Sequence, residues 1–210
     1  MKHDEETLRR AADWSGVSLA PSQLAALNAY ADWLIAEAIP ARGVGPDEAP
    51  RIIDRHVADS LVFAAGWRGL APTSLVDVGS GVGLPGIPLA IAFPAMTIVL
   101  LDRSQRRSDL ASRAAHILEL GNVESVVGEA RDHQQRYPAA TFRASLPPAE
   151  AIVVATTVLE PCGIAVIGLH RGETPVSSLP EFAPGESFEI LETPQGILDS
   201  AAWHLRMTAT

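Results

Sequence analysis

Residues 75–102 read LVDVGSGVGLPGIPLAIAFPAMTIVLLD, and their reading decides the fold. An apolar run leads into a glycine-rich turn, a helix opening on prolines follows, and a second apolar run ends in the carboxylate of Asp102. This order predicts a strand–turn–helix–strand unit with a ligand-binding turn in it. Gly79, Gly81 and Gly83 let the turn tighten and admit a ligand against bare backbone, while Pro85 and Pro88 suit the first turn of a helix.

Two ligands suit such a turn. From Gly81 the chain matches GxGxxG, with Asp102 about 20 residues on, as a dinucleotide site requires. Asp77 argues the other way: a carboxylate two residues before the first glycine repels a pyrophosphate but attracts the cationic amino end of S-adenosylmethionine. Asp102 serves either ligand by accepting hydrogen bonds from ribose hydroxyls. A turn that holds no ligand needs fewer glycines than this.

Upstream, residues 4–14 form a short helix candidate broken at Gly16. A longer helix is expected from Ser22 to Ala38, burying Leu24, Leu27, Ala31, Leu34, Ile35 and Ala38. Residues 40–50 are rich in proline and glycine and read as a loop. Asp47 and Glu48 then open a helix that turns Ile52, Ile53, Val57 and Leu61 inward. On it Arg55 and Asp59 stand one turn apart and are expected to pair, while spacing alone makes His56 a packed or solvated histidine.

Downstream the alternation continues. Residues 105–119 predict a helix with Leu110, Ala114, Ile117 and Leu118 on one side, closed by Gly121, and residues 123–127 a third strand. Residues 138–146 have poor strand propensity but fall where a fourth strand belongs. A helix from Pro147 to about Leu159 and a fifth strand over 163–168 follow. Residues 188–191 and 203–207 are expected to pair antiparallel at the sheet edge. The order predicts an α/β, class I methyltransferase Rossmann-like sheet, mostly parallel with a C-terminal antiparallel hairpin. We divide the chain into an N-terminal helical segment, 1–45, and the methyltransferase domain, 46–210.

At 210 residues and 47% apolar, the chain can bury a core of ordinary size. No run approaches the ~18 apolar residues of a membrane span, and MKHDEETLRR lacks the apolar centre of a signal peptide, so a cytoplasmic protein is expected. Cys162 is alone, which excludes an internal disulfide, and the six scattered histidines point to no metal site. A net charge of −9 repels phosphate, so RNA would have to meet a local basic patch. Arg103, Arg106, Arg107 and Arg113 offer one, although a solvated helix face accounts for them equally well.

DRHVADSL at 54–61, LVDVGSGVGLPGIPLAIAFP at 75–94, LLDRSQRR at 100–107 and LGNVESVVGEARD at 120–132 together resemble the glucose-inhibited division protein B family, the small-subunit ribosomal RNA guanine-N7 methyltransferases. The likeness spans about residues 40–172. It implies an S-adenosylmethionine-dependent enzyme acting on ribosomal RNA or the small ribosomal subunit. By this resemblance Asp77, Gly79, Ser80, Gly81, Gly83, Pro85, Asp102 and the adjoining Arg103 hold the cofactor, with Glu129 and Ala130 at its adenine. Arg143 would stand at the mouth of the site, facing cofactor and target base, and Arg55 and His56 would border the same cleft as substrate-handling residues.

The chain departs from the family pattern on the substrate side. Glu129-Ala130-Arg131 stands where Arg-Ala-Glu is usual, Phe142 where a serine is, and His170-Arg171-Gly172 where Lys-Gly is; residues 173–192 are acidic and lack lysine. Two further expectations therefore stay open: a methyltransferase of a small molecule, and a cofactor-binding protein without turnover. Guanine N7 carries an in-plane lone pair and no proton, so its methylation needs alignment rather than a general base. That agrees with a sequence lacking a Ser-His-Asp set or paired carboxylates.

Overall fold

The computed structural model of the protein describes residues 4–172 and 187–210; of the acidic 173–192 stretch, residues 173–186 lie outside the described residues. β1 (Ser74–Val78) lies inside the sheet, pairing in parallel with β2 (Thr97–Asp102) on one side and β4 (Tyr137–Phe142) on the other. β3 (Val123–Val127) extends the first side and β5 (Leu159–Arg171) the second. β6 (Ser187–Thr193) and β7 (Ala202–Thr208) pair antiparallel, and β7 docks antiparallel on β5, giving the seven-stranded order β3-β2-β1-β4-β5-β7-β6. This is the class I methyltransferase sheet, and the direction of strand progression reverses between β1 and β4, where such sheets open a crevice beyond their carboxyl ends.

Strand alternation sends one set of side chains to each face. Leu75, Ile98, Leu100, Ala139 and Val166 join the core under α1 (Glu5–Trp14), α2 (Pro21–Trp33) and the helices that follow. Val76, Val78, Val99, Leu101, Ala140 and Phe142 face the other core, closed by Ala151, Val154, Ala155 and Val158 of a late helix. Asp4 caps α1 by accepting from the amides of Glu6 and Thr7. Arg10 Nε then donates to the Ile197 carbonyl at 3.2 Å, so the N-terminal helices and the C-terminal hairpin loop are joined.

α2 ends at Trp33 and continues as a π-turn, Leu34–Ala38; Leu24, Leu27, Ala31, Leu34 and Ala38 are buried as the spacing predicts, while Ile35 is only partly buried. The helix expected after the loop is irregular: a 3-10 turn Ala49–Arg51, a π-helix Ile52–Ala58, one α-turn α3 (Asp59–Leu61) and a 3-10 turn Val62–Trp67. The widened turn corrects one expectation. In π geometry positions i and i+4 no longer stack, and Asp59 turns from Arg55 to other partners, described below.

α4 (Gly86–Ala92) follows the glycine loop, α5 (Gln105–Ile117) connects β2 to β3, and α6 (Pro148–Val158) connects β4 to β5. α5 buries Ser108, Ala111, Ala114 and Ala115, while Ile117 is 52% exposed. The small side chains let the helix lie close on the sheet, so the branched residue expected inward faces solvent. Glu119, at φ 54, turns the chain there two residues before Gly121.

Candidate functional site

Asp77 is fully buried at the end of β1, and its Oδ2 accepts from the Gly86 amide at 2.8 Å while its Oδ1 accepts from Thr141 Oγ1 at 3.1 Å. It therefore ties the first turn of α4 and strand β4 beneath the glycine loop. Burial raises its pKa to about 7, against the pull of both hydrogen bonds. The carboxylate does not line the cavity above; it shapes the loop from behind through these hydrogen bonds. Gly83 leaves room for Ile87 and the Tyr30 hydroxyl, which itself donates to the Val82 carbonyl at 2.9 Å.

A cavity of about 340 Å³ opens beyond the ends of β1, β2 and β4, lined by Gly79, Asp102, Arg103, Gly128, Glu129, Ala130 and Ser145 among others. Asp102 sits in its wall with Oδ1 accepting from the Ser104 amide at 2.8 Å and Oδ2 from the Gly81 amide at 2.9 Å. Two acceptor lone pairs remain for a diol. Arg107 stands 3.6 Å from the same carboxylate, and Arg103 reaches Glu129 at 3.8 Å. Gly79, at φ 71, could not carry a side chain: a Cβ would lie 2.3 Å from Ser145 Cβ.

Of the cofactor residues expected from sequence, Gly79, Asp102, Arg103, Glu129 and Ala130 meet in this wall. Asp77, Ser80, Gly81, Gly83 and Pro85 build the loop from behind it, and Arg143 opens elsewhere. Ser145, absent from the sequence reading, has a buried Oγ with no hydrogen-bond partner among the described residues. An orphaned hydroxyl in the wall, a ribose-type carboxylate and bare backbone at Gly79 fit S-adenosylmethionine.

A second cavity, about 310 Å³, lies on the other side of the β4 exit and includes Glu48, Arg55, His56, Asp59, Arg143, His170, Arg171 and Trp203. Ala144 lines both cavities. Side chains alternate across it: Arg143 faces the second cavity, Ser145 the first, and Ala144 takes the left-handed φ of 52. The Arg-His pair and Arg143 expected from sequence thus come together, in a chamber adjoining the cofactor cavity.

Arg143 Nε is held by Asp59 Oδ2 at 3.0 Å, and its Nη2 donates to the Arg55 carbonyl at 2.8 Å and lies 3.4 Å from His56 Nδ1. Arg171 approaches Asp59 at 3.7 Å and pairs with Asp54 at 2.9 Å and Asp199 at 2.5 Å. These arginines clamp the π-helix to the ends of β4 and β5 and to the hairpin loop. His56 Nε2 meets Glu48 at 3.1 Å. Burial and the neighbouring Arg143 hold its pKa below the usual histidine value, so it is neutral near pH 7. His204, buried with its ring edge-on to Phe63, is pushed down to about 4 by burial. Sequence reasoning missed Asp59 as the partner of Arg143, a contact between elements far apart in the chain; it placed Glu48 only as the opening of a helix and Arg171 only as a departure from the family pattern, and it gave no signal for His204.

A profile of the family described as rRNA small subunit methyltransferase G matches residues 23–181. A Mycobacterium avium protein named ribosomal RNA small subunit methyltransferase G is 40% identical over 126 residues, 60% of this chain and 50% of its own. A Chloroflexus aggregans protein of the same name is 30% identical over 135 residues, 61% of this chain and 56% of its own. The chain spans about half the length of the curated relatives it matches. Among solved structures, precorrin-6y C5,15-methyltransferase from Geobacter metallireducens superposes with TM-score 0.51 at 14% identity over 72% of this chain and 87% of that one. A protein solved in work on the conversion of a disulfide bond into a thioacetal group during echinomycin biosynthesis gives 0.53 at 19% identity over 68% and 78%. These two likenesses concern the fold alone. With a cofactor-type cavity, an Arg-His chamber beside it and a profile match over most of its length, the chain belongs to the GidB family of rRNA small subunit methyltransferase G proteins.

Proposed function

We propose that this protein is an S-adenosylmethionine-dependent methyltransferase of small-subunit ribosomal RNA, acting on guanine N7. The observation that carries the reading is the meeting of two cavities at Ala144, one suited to the cofactor and one to an acceptor. The relatives' shared name supports the ribosomal substrate, and such a substrate implies a cytoplasmic protein. No described helix is long and apolar enough to cross a membrane.

Asp102 would hold the ribose diol, the backbone at Gly79 and the Ser145 hydroxyl the amino-acid end, and the 128–130 turn the adenine. Bound S-adenosylmethionine supplies an electrophilic methyl on a sulfonium. The acceptor lone pair attacks without losing a proton, so this chain's residues need only align, desolvate and neutralise. Arg143 is fixed by Asp59 and the Arg55 carbonyl, and its Nη1 makes no hydrogen bond among the described residues. It is placed to donate to a guanine O6 or a flanking phosphate. Arg55 lines the same chamber and suits a phosphate. Neutral His56 completes the wall without adding charge. The relatives' shared name favours RNA over a small-molecule acceptor, against the net charge of −9.

The test is methyl transfer from labelled S-adenosylmethionine to small ribosomal subunits lacking the modification, with wild type, Asp102→Asn and Arg143→Lys. Wild type should label the RNA; Asp102→Asn should lose cofactor affinity, and Arg143→Lys should lose turnover while binding cofactor. Cofactor binding by wild type with no label on subunits would refute the substrate.

A further inference from the structure

The second cavity holds a directional set of donors and acceptors in which Glu48 still has no assigned part. Moving outward from Ala144, Arg143 comes first, His56 lies 3.4 Å from it, and Glu48 lies 3.1 Å beyond His56. Arg143 can only donate, so His56 Nδ1 must accept and Nε2 carries the hydrogen toward Glu48. Glu48 is therefore an acceptor fixed from one side by a neutral imidazole. Arg51 Nη2 steadies it from the other at 2.5 Å. An ionised carboxylate has about four lone-pair sites, so two such contacts leave acceptor capacity facing the cavity that Glu48 lines.

That order, donor near the cofactor and acceptor farther out, is the complement of one nucleobase. Guanine presents the acceptors N7 and O6 on one edge and the donors N1–H and N2–H on the next. Adenine would set its N6 donors against Arg143 and its N1 acceptor against the carboxylate. Pyrimidines have no N7.

Resting on the reading that guanine N7 is methylated, we infer that Glu48 is the residue that reads the target base, its carboxylate accepting N1–H and N2–H while Arg143 faces O6. His56 is then a positioning residue that holds Glu48.

The test uses the full chain saturated with S-adenosylhomocysteine and follows amide shifts by NMR as guanosine 5′-monophosphate or inosine 5′-monophosphate is added. Inosine lacks only the N2 amine. Wild type should shift at Glu48, His56 and Ala144 and bind the guanosine nucleotide about tenfold more tightly, the worth of one hydrogen bond to a charged group. In Glu48→Gln that preference should fall to within about twofold, with affinity for S-adenosylhomocysteine unchanged. A base misplaced by a loosened helix would weaken both nucleotides equally and leave their ratio alone. Equal binding of the two by wild type, a preference that survives in Glu48→Gln, or no shift with either nucleotide overturns the assignment. Subunit labelling by wild type alongside any of these results removes Glu48 and keeps the methyltransferase. A guanosine preference without subunit labelling removes the ribosomal substrate and keeps the pocket.

Discussion

Replacing Asp77 by Asn should make the protein more stable, and increasingly so as pH rises. The carboxylate is wholly buried and its pKa stands at about 7 in the fold against 3.8 when exposed. Between those values the native state holds a proton that the unfolded chain releases, so each unit of rising pH costs wild type about 1.36 kcal/mol. The loss begins near pH 4, continues to pH 7 and is complete above it. An Asn keeps both hydrogen bonds, its carbonyl accepting from the Gly86 amide and its amide donating to the Thr141 hydroxyl, and it has nothing to ionise. From pH 5 to pH 8 the variant should gain on wild type by roughly 3 kcal/mol. Urea unfolding of both proteins without cofactor at several pH values in this window reads the difference directly. A gap that stays constant with pH would refute a neutral-leaning Asp77, and a variant less stable than wild type at pH 8 would show that the charge itself supports the loop.

The site makes further commitments. Gly79→Ala should weaken S-adenosylmethionine binding at least tenfold by calorimetry: the left-handed φ costs about 1 kcal/mol or more, and the new Cβ meets Ser145 Cβ at 2.3 Å. Adding Ser145→Gly should remove the clash and restore stability, leaving only the backbone cost. Asp59→Ala strands the guanidinium of Arg143 in a largely buried setting, and chemical denaturation should show a loss of about 3 kcal/mol or more. His204 is kept neutral with a pKa of about 4, while the unfolded chain protonates near 6.5, so its contribution is lost as pH falls between these values. His204→Leu should flatten that part of the acid limb, worth about 3 kcal/mol; a limb as steep as wild type's would refute it.

The order of elements was legible because each signal is local. Apolar runs at 75–78 and 97–101, the glycines at 79, 81 and 83, and Asp102 each fix their own neighbourhood, and together they leave few topologies. The weak propensity of residues 138–146 did not keep a strand from forming at 137–142, because a strand buried on both faces is decided by its neighbours, though it ends four residues earlier than expected. Two errors came from assuming ideal helices. The π-helix at Ile52–Ala58 shifts every later side chain around the axis, which moved Asp59 away from Arg55, and packing against a sheet selected alanines over Ile117. At the site, the residues read from a contiguous motif gather around one cavity, and five of them stand behind its wall. Arg143 and Arg171 are held by carboxylates far away in the chain, Asp59 and Asp54, which no local pattern encodes.

Ala144 is a partition one peptide thick with a ligand chamber on each side. On the proposed reading, an occupant of one chamber would restrain that peptide and spare the second occupant part of the ordering cost. Linkage makes the effect reciprocal: the factor by which bound cofactor tightens the acceptor is the factor by which the acceptor tightens the cofactor. A product pair would be bound under the same rule, so release of either molecule would loosen its companion, whichever leaves first.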